Sequence, residues 1–236
     1  MKGILLSIVA GLFLAIGLIL IGESFQQPSA VISITFDDGY VSQYDAAEIL
    51  EGYGWKATYY IPSNLVGKEF EGVPIMSGEQ VLDLQGREHE IGAHTADHVR
   101  AVNSSDAIYE TQLIMGKDIS GVIAENFAFP YNDHSKESLA LKHFNTVRNS
   151  EGGINNITNR SLDGLALTHN NYLVLEDYLA KLEENGGWLI ILVHDINENP
   201  REDIDLAPEE FAWVLQTIRD SNFEVKTIEE VYDGKA

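Results

Sequence analysis

The chain contains no cysteine, so no disulfide framework shapes it. A domain of about 200 residues can build a core without one, and large secreted domains often do, which leaves the compartment open on this count. Basic residues are scarce: 15 Lys and Arg stand against 37 Asp and Glu, for a net charge of -22. A surface that acidic argues against nucleic acid as a partner and against docking on anionic lipid headgroups. There is no internal repeat, no low-complexity stretch and no sign of an internal domain boundary. Between Lys2 and Lys56 there is no Lys or Arg at all.

What the first residues do contain is a long apolar run. Residues 3–22 carry no charge. At about 1.5 Å per residue, a helix of this length spans the ~30 Å hydrocarbon core of a bilayer. Signal-peptide cores are shorter, about 7–15 residues, and end in a small-x-small cleavage site. Pro28-Ser29-Ala30 matches such a site poorly and abuts the first strand. Residues 1–26 therefore read as an uncleaved membrane anchor in preference to a cleaved signal, and residues 27–236 as one domain. Lys2 ahead of the span puts the N-terminus in the cytoplasm and the domain outside; cleavage would make it secreted instead. The sequons at Asn103, Asn156 and Asn159 fit an exported chain.

After residue 30 the pattern alternates. Strand-like runs fall at Val31–Phe36, Ala57–Ile61, Glu90–Ala93, Asn126–Phe129, Thr146–Arg148, Trp188–His194 and Phe223–Thr227. Helix-like stretches lie between most of them. Ser42–Gly54 has helical spacing, Ser77 and Gln80 form a capping box, and Pro208 sits where a first-turn proline belongs. Strands alternating with helices over this length argue for a parallel sheet, open or closed.

The chemistry-bearing residues cluster at strand ends. Asp37-Asp38-Gly39 closes the first run, and two adjacent carboxylates repel unless a cation sits beside them. His94 and His98 follow the third run, Pro130 and Tyr131 the fourth, and His194-Asp195 end the sixth. In a β/α barrel such ends gather on one face, where these enzymes place their sites. The i, i+4 spacing of His94 and His98 would put both imidazoles on one side of a helical turn. With one aspartate they make a three-ligand set with an open position, the pattern of catalytic zinc. The second aspartate is then free to take a proton from water.

Thr35-Phe36-Asp37-Asp38-Gly39, His94-Thr95-Ala96-Asp97-His98, Phe127-Ala128-Phe129-Pro130-Tyr131 and Leu192-Val193-His194-Asp195 come in an order and spacing that resembles the polysaccharide deacetylases, also called the NodB-homology or carbohydrate esterase family 4 group. The resemblance covers roughly residues 31–231. It implies a distorted (β/α)7 TIM-like barrel behind the N-terminal transmembrane helix. It implies one divalent metal, usually zinc with cobalt or nickel as alternatives, and hydrolysis of N-acetyl groups from the amino sugars of an extracellular glycan. By the same resemblance Asp37 is the general base, Asp38, His94 and His98 are the metal ligands, Tyr131 helps hold the oxyanion through its backbone N–H, and His194 is the general acid.

One position departs from the family pattern. Many members carry an arginine in the third motif that pairs with the base, and here Ala128 stands there. The segment resembles a branch with Phe-Ala-Tyr-Pro-Tyr-Gly, in which an arginine ahead of a Glu-Gly-Gly turn takes over. That points to Arg148, followed by Glu151-Gly152-Gly153, as the residue that orients Asp37. The family's Asp-plus-Trp element has no clear match, and Trp188 reads as core. His89, His134, His143 and His169 read as solvated or core histidines, with His169 near enough to a strand end to line a cleft. Tyr53, Trp55, Tyr59 and Tyr60 read as a half-buried strand region ahead of a sugar-stacking platform. Two other functions stand beside the deacetylase: an amidohydrolase of the same fold for a small non-sugar amide, and a degenerate carbohydrate-binding barrel.

Overall fold

The computed structural model describes residues 30–201 and 203–234. The predicted anchor, residues 1–26, lies outside the described residues. Among the described residues no helix is long and apolar enough to cross a membrane.

Seven parallel strands close on themselves: β1 (Ala30–Asp37), β2 (Thr58–Ile61), β3 (Glu90–Ala93), β4 (Asn126–Ala128), β5 (Thr146–Asn149), β6 (Ser161–Ala166) and β7 (Gly187–Val193). Closure comes from β7 pairing back onto β1, with Ala30–Phe36 opposite Gly187–Val193. The parallel order requires crossovers, and seven helices accompany the strands: α1 (Val41–Gly52), α2 (Gly78–Gly86), α3 (Asp106–Met115), α4 (Glu137–Ala140), α5 (Leu175–Asn185), α6 (Pro208–Ser221) and α7 (Ile228–Tyr232). The capping box before α2 is formed on both sides, between Ser77 and Gln80.

A short strand, β8 (Glu224–Val225), explains the distortion. It pairs with Val31 and Ile32, whereas β2 pairs with Thr35, Phe36 and Asp37. A strand has two edges, and β7 takes one along its length. The other edge of β1 is therefore shared, with β8 at the N-terminal end and β2 at the C-terminal end.

Six of the seven strand-like runs supply barrel strands. The last, Phe223–Thr227, supplies only β8. The remaining barrel strand is β6, Ser-Leu-Asp-Gly-Leu-Ala, whose Asp163 and Gly164 break the β-branched pattern that marks a buried strand. Gly164 is there for a packing reason: a Cβ on it would lie 2.6 Å from Cδ of the buried Arg148. Gly92 does the same for Tyr60, whose ring would lie 2.4 Å from an added Cβ. Two large side chains thus enter the barrel interior opposite two glycines.

Side chains alternate across each strand. Ile32, Ile34 and Phe36 of β1 pack outward with Ala46, Ala47 and Leu50 of α1. Val31, Tyr60, Leu162, Trp188 and Ile190 form the inner cluster, closed below by Ile228 and Val231 of α7. Trp188 is core, as its place in the strand suggests, and its indole N–H donates to Ser33 Oγ at 2.9 Å.

Candidate active site

The register delivers the site. Phe36 lies opposite Val193, so the next residues, Asp37 and His194, leave adjacent strands at one level. Asp37 pairs with Tyr60 across β1 and β2, and Ala93 with Phe127 across β3 and β4. Asp38 and Gly39 then turn sharply, with φ of 74° and 77°. Gly39 is needed twice over, because a Cβ would also lie 2.9 Å from Ile61 Cγ2.

His94 and His98 do meet, with ring centroids 4.9 Å apart, but not on a helix. Residues 94–100 form a loop in which Thr95 and His98 take left-handed backbone, φ 61° and 53°. The i, i+4 helical argument is therefore corrected: loop geometry brings the rings together. His94 Nδ1 lies 2.8 Å from the Ala128 carbonyl. A carbonyl only accepts, so Nδ1 carries the proton and Nε2 of the neutral ring is left as an acceptor. That Nε2 lies 3.4 Å from Asp38 Oδ1, and His98 Nε2 lies 3.0 Å from the same oxygen. The oxygen is buried and has no well-aligned hydrogen bond among the described residues.

Three buried acceptor atoms, all within 4.8 Å of one another, thus converge. Protonating both rings would place two cations 4.9 Å apart inside the protein. Burial, together with the neighbouring His94, pulls the His98 pKa down despite the pull of Asp38. Burial pushes the Asp38 carboxyl up, but the imidazoles of His94, His98 and His194 outweigh it and hold that carboxyl well below the usual range. A two-His, one-Asp donor set that stays deprotonated fits one divalent ion with an open coordination position.

Asp37 stands beside this set in a different setting. Arg148 reaches through the interior and donates from Nη2 to Asp37 Oδ1. Its guanidinium also donates to the Asn149 carbonyl at 3.2 Å and lies over the Tyr60 ring, 5.1 Å from the centroid. Arg148 is 1% exposed. Such a pair is strongly destabilising to break, by roughly 3–5 kcal/mol, because a buried charge is left behind.

A cavity of about 220 Å³ opens above these groups, lined among others by Tyr40, Phe70, Tyr131, Arg148 and His194. Tyr131 is 43% exposed, has left-handed backbone (φ 57°) and packs its ring 4.5 Å from that of His98. Arg100 stacks on the Tyr131 ring, 4.2 Å from its centroid. His194 Nδ1 is buried with no hydrogen-bond partner among the described residues. Asp195 is no partner for it, since that carboxylate accepts from Ser42 Oγ, Ile196 N and Asn197 Nδ2.

The structure thus brings together all seven sequence-predicted residues: Asp37, Asp38, His94, His98, Tyr131, Arg148 and His194. His169 does not line the cavity; its Nδ1 lies 2.7 Å from Glu210. His134 and His143 face Glu151 and Glu110, and His89 is buried below the barrel. Tyr59 and Tyr60 are core, and Tyr53 stacks on Trp55 away from the cavity. Three residues escaped notice in the sequence. Gln43 is fully buried, and its amide nitrogen donates to the carbonyls of both Asp37 and His194. Tyr40 and Arg201 both line the cavity. No motif flags them: Gln43 reads as a helix residue, Arg201 as a loop cation, and Tyr40 as the residue after a turn.

A family model described as polysaccharide deacetylase matches residues 25–149, more than half of the 236-residue chain. The closed barrel of parallel strands, with its Asp-His-His group at the strand ends, is the architecture of a hydrolase site on a (β/α)7 scaffold. The chain belongs to the polysaccharide deacetylase family. A peptidoglycan-N-acetylglucosamine deacetylase of Bacillus cereus is 37% identical over 89 residues, covering 37% of this chain and 38% of that relative. The chain thus spans well under half the length of the curated relatives it matches. Among solved structures, the chitin deacetylase of Colletotrichum lindemuthianum superposes with a TM-score of 0.57 at 15% identity, covering 86% of this chain and 88% of that one. The Xyl-CE4 domain of a multidomain xylanase from the hindgut metagenome of Trinervitermes trinervoides gives 0.56 at 17% identity, covering 88% and 91%. At these identities the structural likeness speaks for the fold alone.

Proposed function

We propose that this chain is a metal-dependent N-deacetylase acting on the amino sugars of an extracellular polysaccharide. The observation that carries the reading is the side-by-side arrangement of a charge-paired Asp37 and the buried Asp38-His94-His98 group under one cavity. Family membership and the named activity of the Bacillus cereus relative support it.

Asp38 Oδ1, His94 Nε2 and His98 Nε2 would hold the ion, with zinc the best fit and cobalt or nickel compatible with the same donors. A divalent ion there supplies Lewis acidity toward the acyl oxygen and toward water. Asp37 takes the proton of the attacking water, and Arg148 keeps its carboxylate ionised and aimed. The Tyr131 backbone N–H donates to the oxygen on which negative charge develops. As the C–N bond breaks, His194 delivers a proton to the leaving amine, and acetate and a free amino sugar result. Gln43 ties the peptides of base and acid together, which fixes their separation. The domain works outside the cell, anchored through residues 1–26 or released from them.

A second reading, hydrolysis of a small non-sugar amide, draws support from the cavity, whose 220 Å³ is below the roughly 300–1,000 Å³ usual for ligand sites. The test is acetate release from N-acetylglucosamine oligomers and from small N-acetylated amines, with zinc and with chelator. Release from oligomers that requires zinc supports the deacetylase. Release from the small amines alone moves the function to the second reading.

A further inference from the structure

Tyr40 and Arg201 form an arrangement that no sequence motif records. Tyr40 follows the Asp38-Gly39 turn and caps α1; its ring is buried, while it still lines the cavity. Its hydroxyl engages both the Arg201 guanidinium and the Asp38 carboxylate. Arg201 comes from the loop after β7, and its guanidinium carbon lies 5.9 Å from the Tyr40 ring centroid. Two acids hold Arg201 in place. Asp205 accepts from Nε at 2.7 Å and Nη2 at 2.9 Å, and Glu71 accepts from Nη1 at 2.8 Å. Asp205 is itself 1% exposed, so the anchor is buried.

The hydrogen-bond chemistry gives this chain a direction. A guanidinium has only donors, and an ionised carboxylate has only acceptors. A phenol has one O–H and lone pairs. With Arg201 donating to the phenol oxygen, the phenol proton has one place to go, the Asp38 carboxylate. Asp38 Oδ1 faces the two imidazoles.

We propose that Tyr40 is a positioning residue for the metal ligand Asp38, and that Arg201, clamped by Asp205 and Glu71, sets the direction of its hydrogen bond. The inference builds on the metal-binding reading of Asp38, His94 and His98. Outer groups that hold a ligand typically contribute 10–100-fold in metal affinity. The chain also ties the ligand to two distant segments: Glu71 in the short hairpin of Glu69–Phe70 with Val73–Pro74, and Arg201 in the loop after β7.

The test is zinc affinity of the full chain, read by competition with a chromogenic chelator, together with the melting temperature of the zinc-free protein. Tyr40→Phe keeps the buried ring and removes only the hydroxyl. It is expected to weaken zinc binding about tenfold or more, leaving the zinc-free melting temperature unchanged. Arg201→Gln is expected to weaken it by less, since the phenol remains. Arg201→Lys should bind zinc more tightly than Arg201→Gln, because it keeps a donor for the phenol. A Tyr40→Phe protein that binds zinc within twofold of the parent overturns the proposal, as does a drop in zinc-free melting temperature with no change in affinity. A parent chain that fails to compete for zinc at all overturns the metal-binding reading itself, and this inference with it.

Discussion

The two ends of the barrel both bury polar groups, and they treat them in opposite ways. Below, Glu90 accepts from Asn126 Nδ2 at 2.7 Å, Thr58 Oγ1 at 2.8 Å and the Glu229 backbone N–H at 2.8 Å. Asn126 Oδ1 accepts from Thr146 Oγ1 at 2.7 Å, and the Ile228 N–H reaches Thr58 Oγ1 at 3.1 Å. Within that network each carboxylate and amide oxygen finds a donor. Above, Asp38 Oδ1, His98 Nδ1, His194 Nδ1 and Arg148 Nε are buried without hydrogen bonds among the described residues. Buried polar atoms left unpaired are costly, at about 1–3 kcal/mol each, so a fold keeps them where something else uses them. The lower network fastens α7 against the barrel; the upper one is left open for an ion, a substrate and a proton.

That contrast can be broken from either end. The largest effect is expected above. Asp37→Asn keeps the size and an acceptor for Arg148, and should cut deacetylation by about 10²–10⁴-fold, measured as acetate release per folded molecule. Arg148→Ala should lower turnover as well; turnover equal to the parent would remove Arg148 from the mechanism. Below, Glu90→Ala leaves the donors of Thr58, Asn126 and Glu229 without a partner. It should cost about 3 kcal/mol in urea unfolding, with turnover of the folded fraction unchanged within twofold. A comparable loss of turnover would show that the two ends are coupled.

Metal removal sharpens the same comparison. Zinc at a hundred times its dissociation constant should stabilise the fold by about 2.7 kcal/mol, and chelator should reverse the gain. The smallest effect expected is that of pH through His89. Its Nδ1 accepts from the Ala57 N–H at 3.1 Å, and burial, helped by Lys56, lowers its pKa to about 4. The unfolded chain protonates it near 6.5. Between those values the unfolded state binds more protons, so stability is complete above about pH 6.5 and falls as pH drops toward 4. The share from His89 is on the order of 2 kcal/mol. His89→Asn should flatten the melting-temperature curve between pH 7 and 4.5; an unchanged slope would assign the effect to other groups.

Most of the site was legible because it is written in short motifs at strand ends. Asp37, Asp38, His94, His98 and His194 carry their chemistry in residue type, and the barrel gathers strand ends on one face. Arg148 was reachable only through what Ala128 lacks. Gln43, Tyr40 and Arg201 were not legible, because their partners lie far along the chain: 151 residues separate Gln43 from His194, and 130 separate Glu71 from Arg201. The strand β6 was hidden for a related reason. Its Gly164 answers to the arginine it must accommodate, and local propensity says nothing of that neighbour. The loop at His94–His98 shows the reverse case, a correct pairing expected from a helical spacing that the backbone does not adopt.

The most direct test of the central claim is acetate release by the full chain from N-acetylglucosamine oligomers, run with zinc, with chelator and beside Asp37→Asn. The expected result is release that needs zinc and vanishes in the variant. Release that persists in chelator or in Asp37→Asn, or no release from any oligomer by zinc-loaded protein, would contradict it.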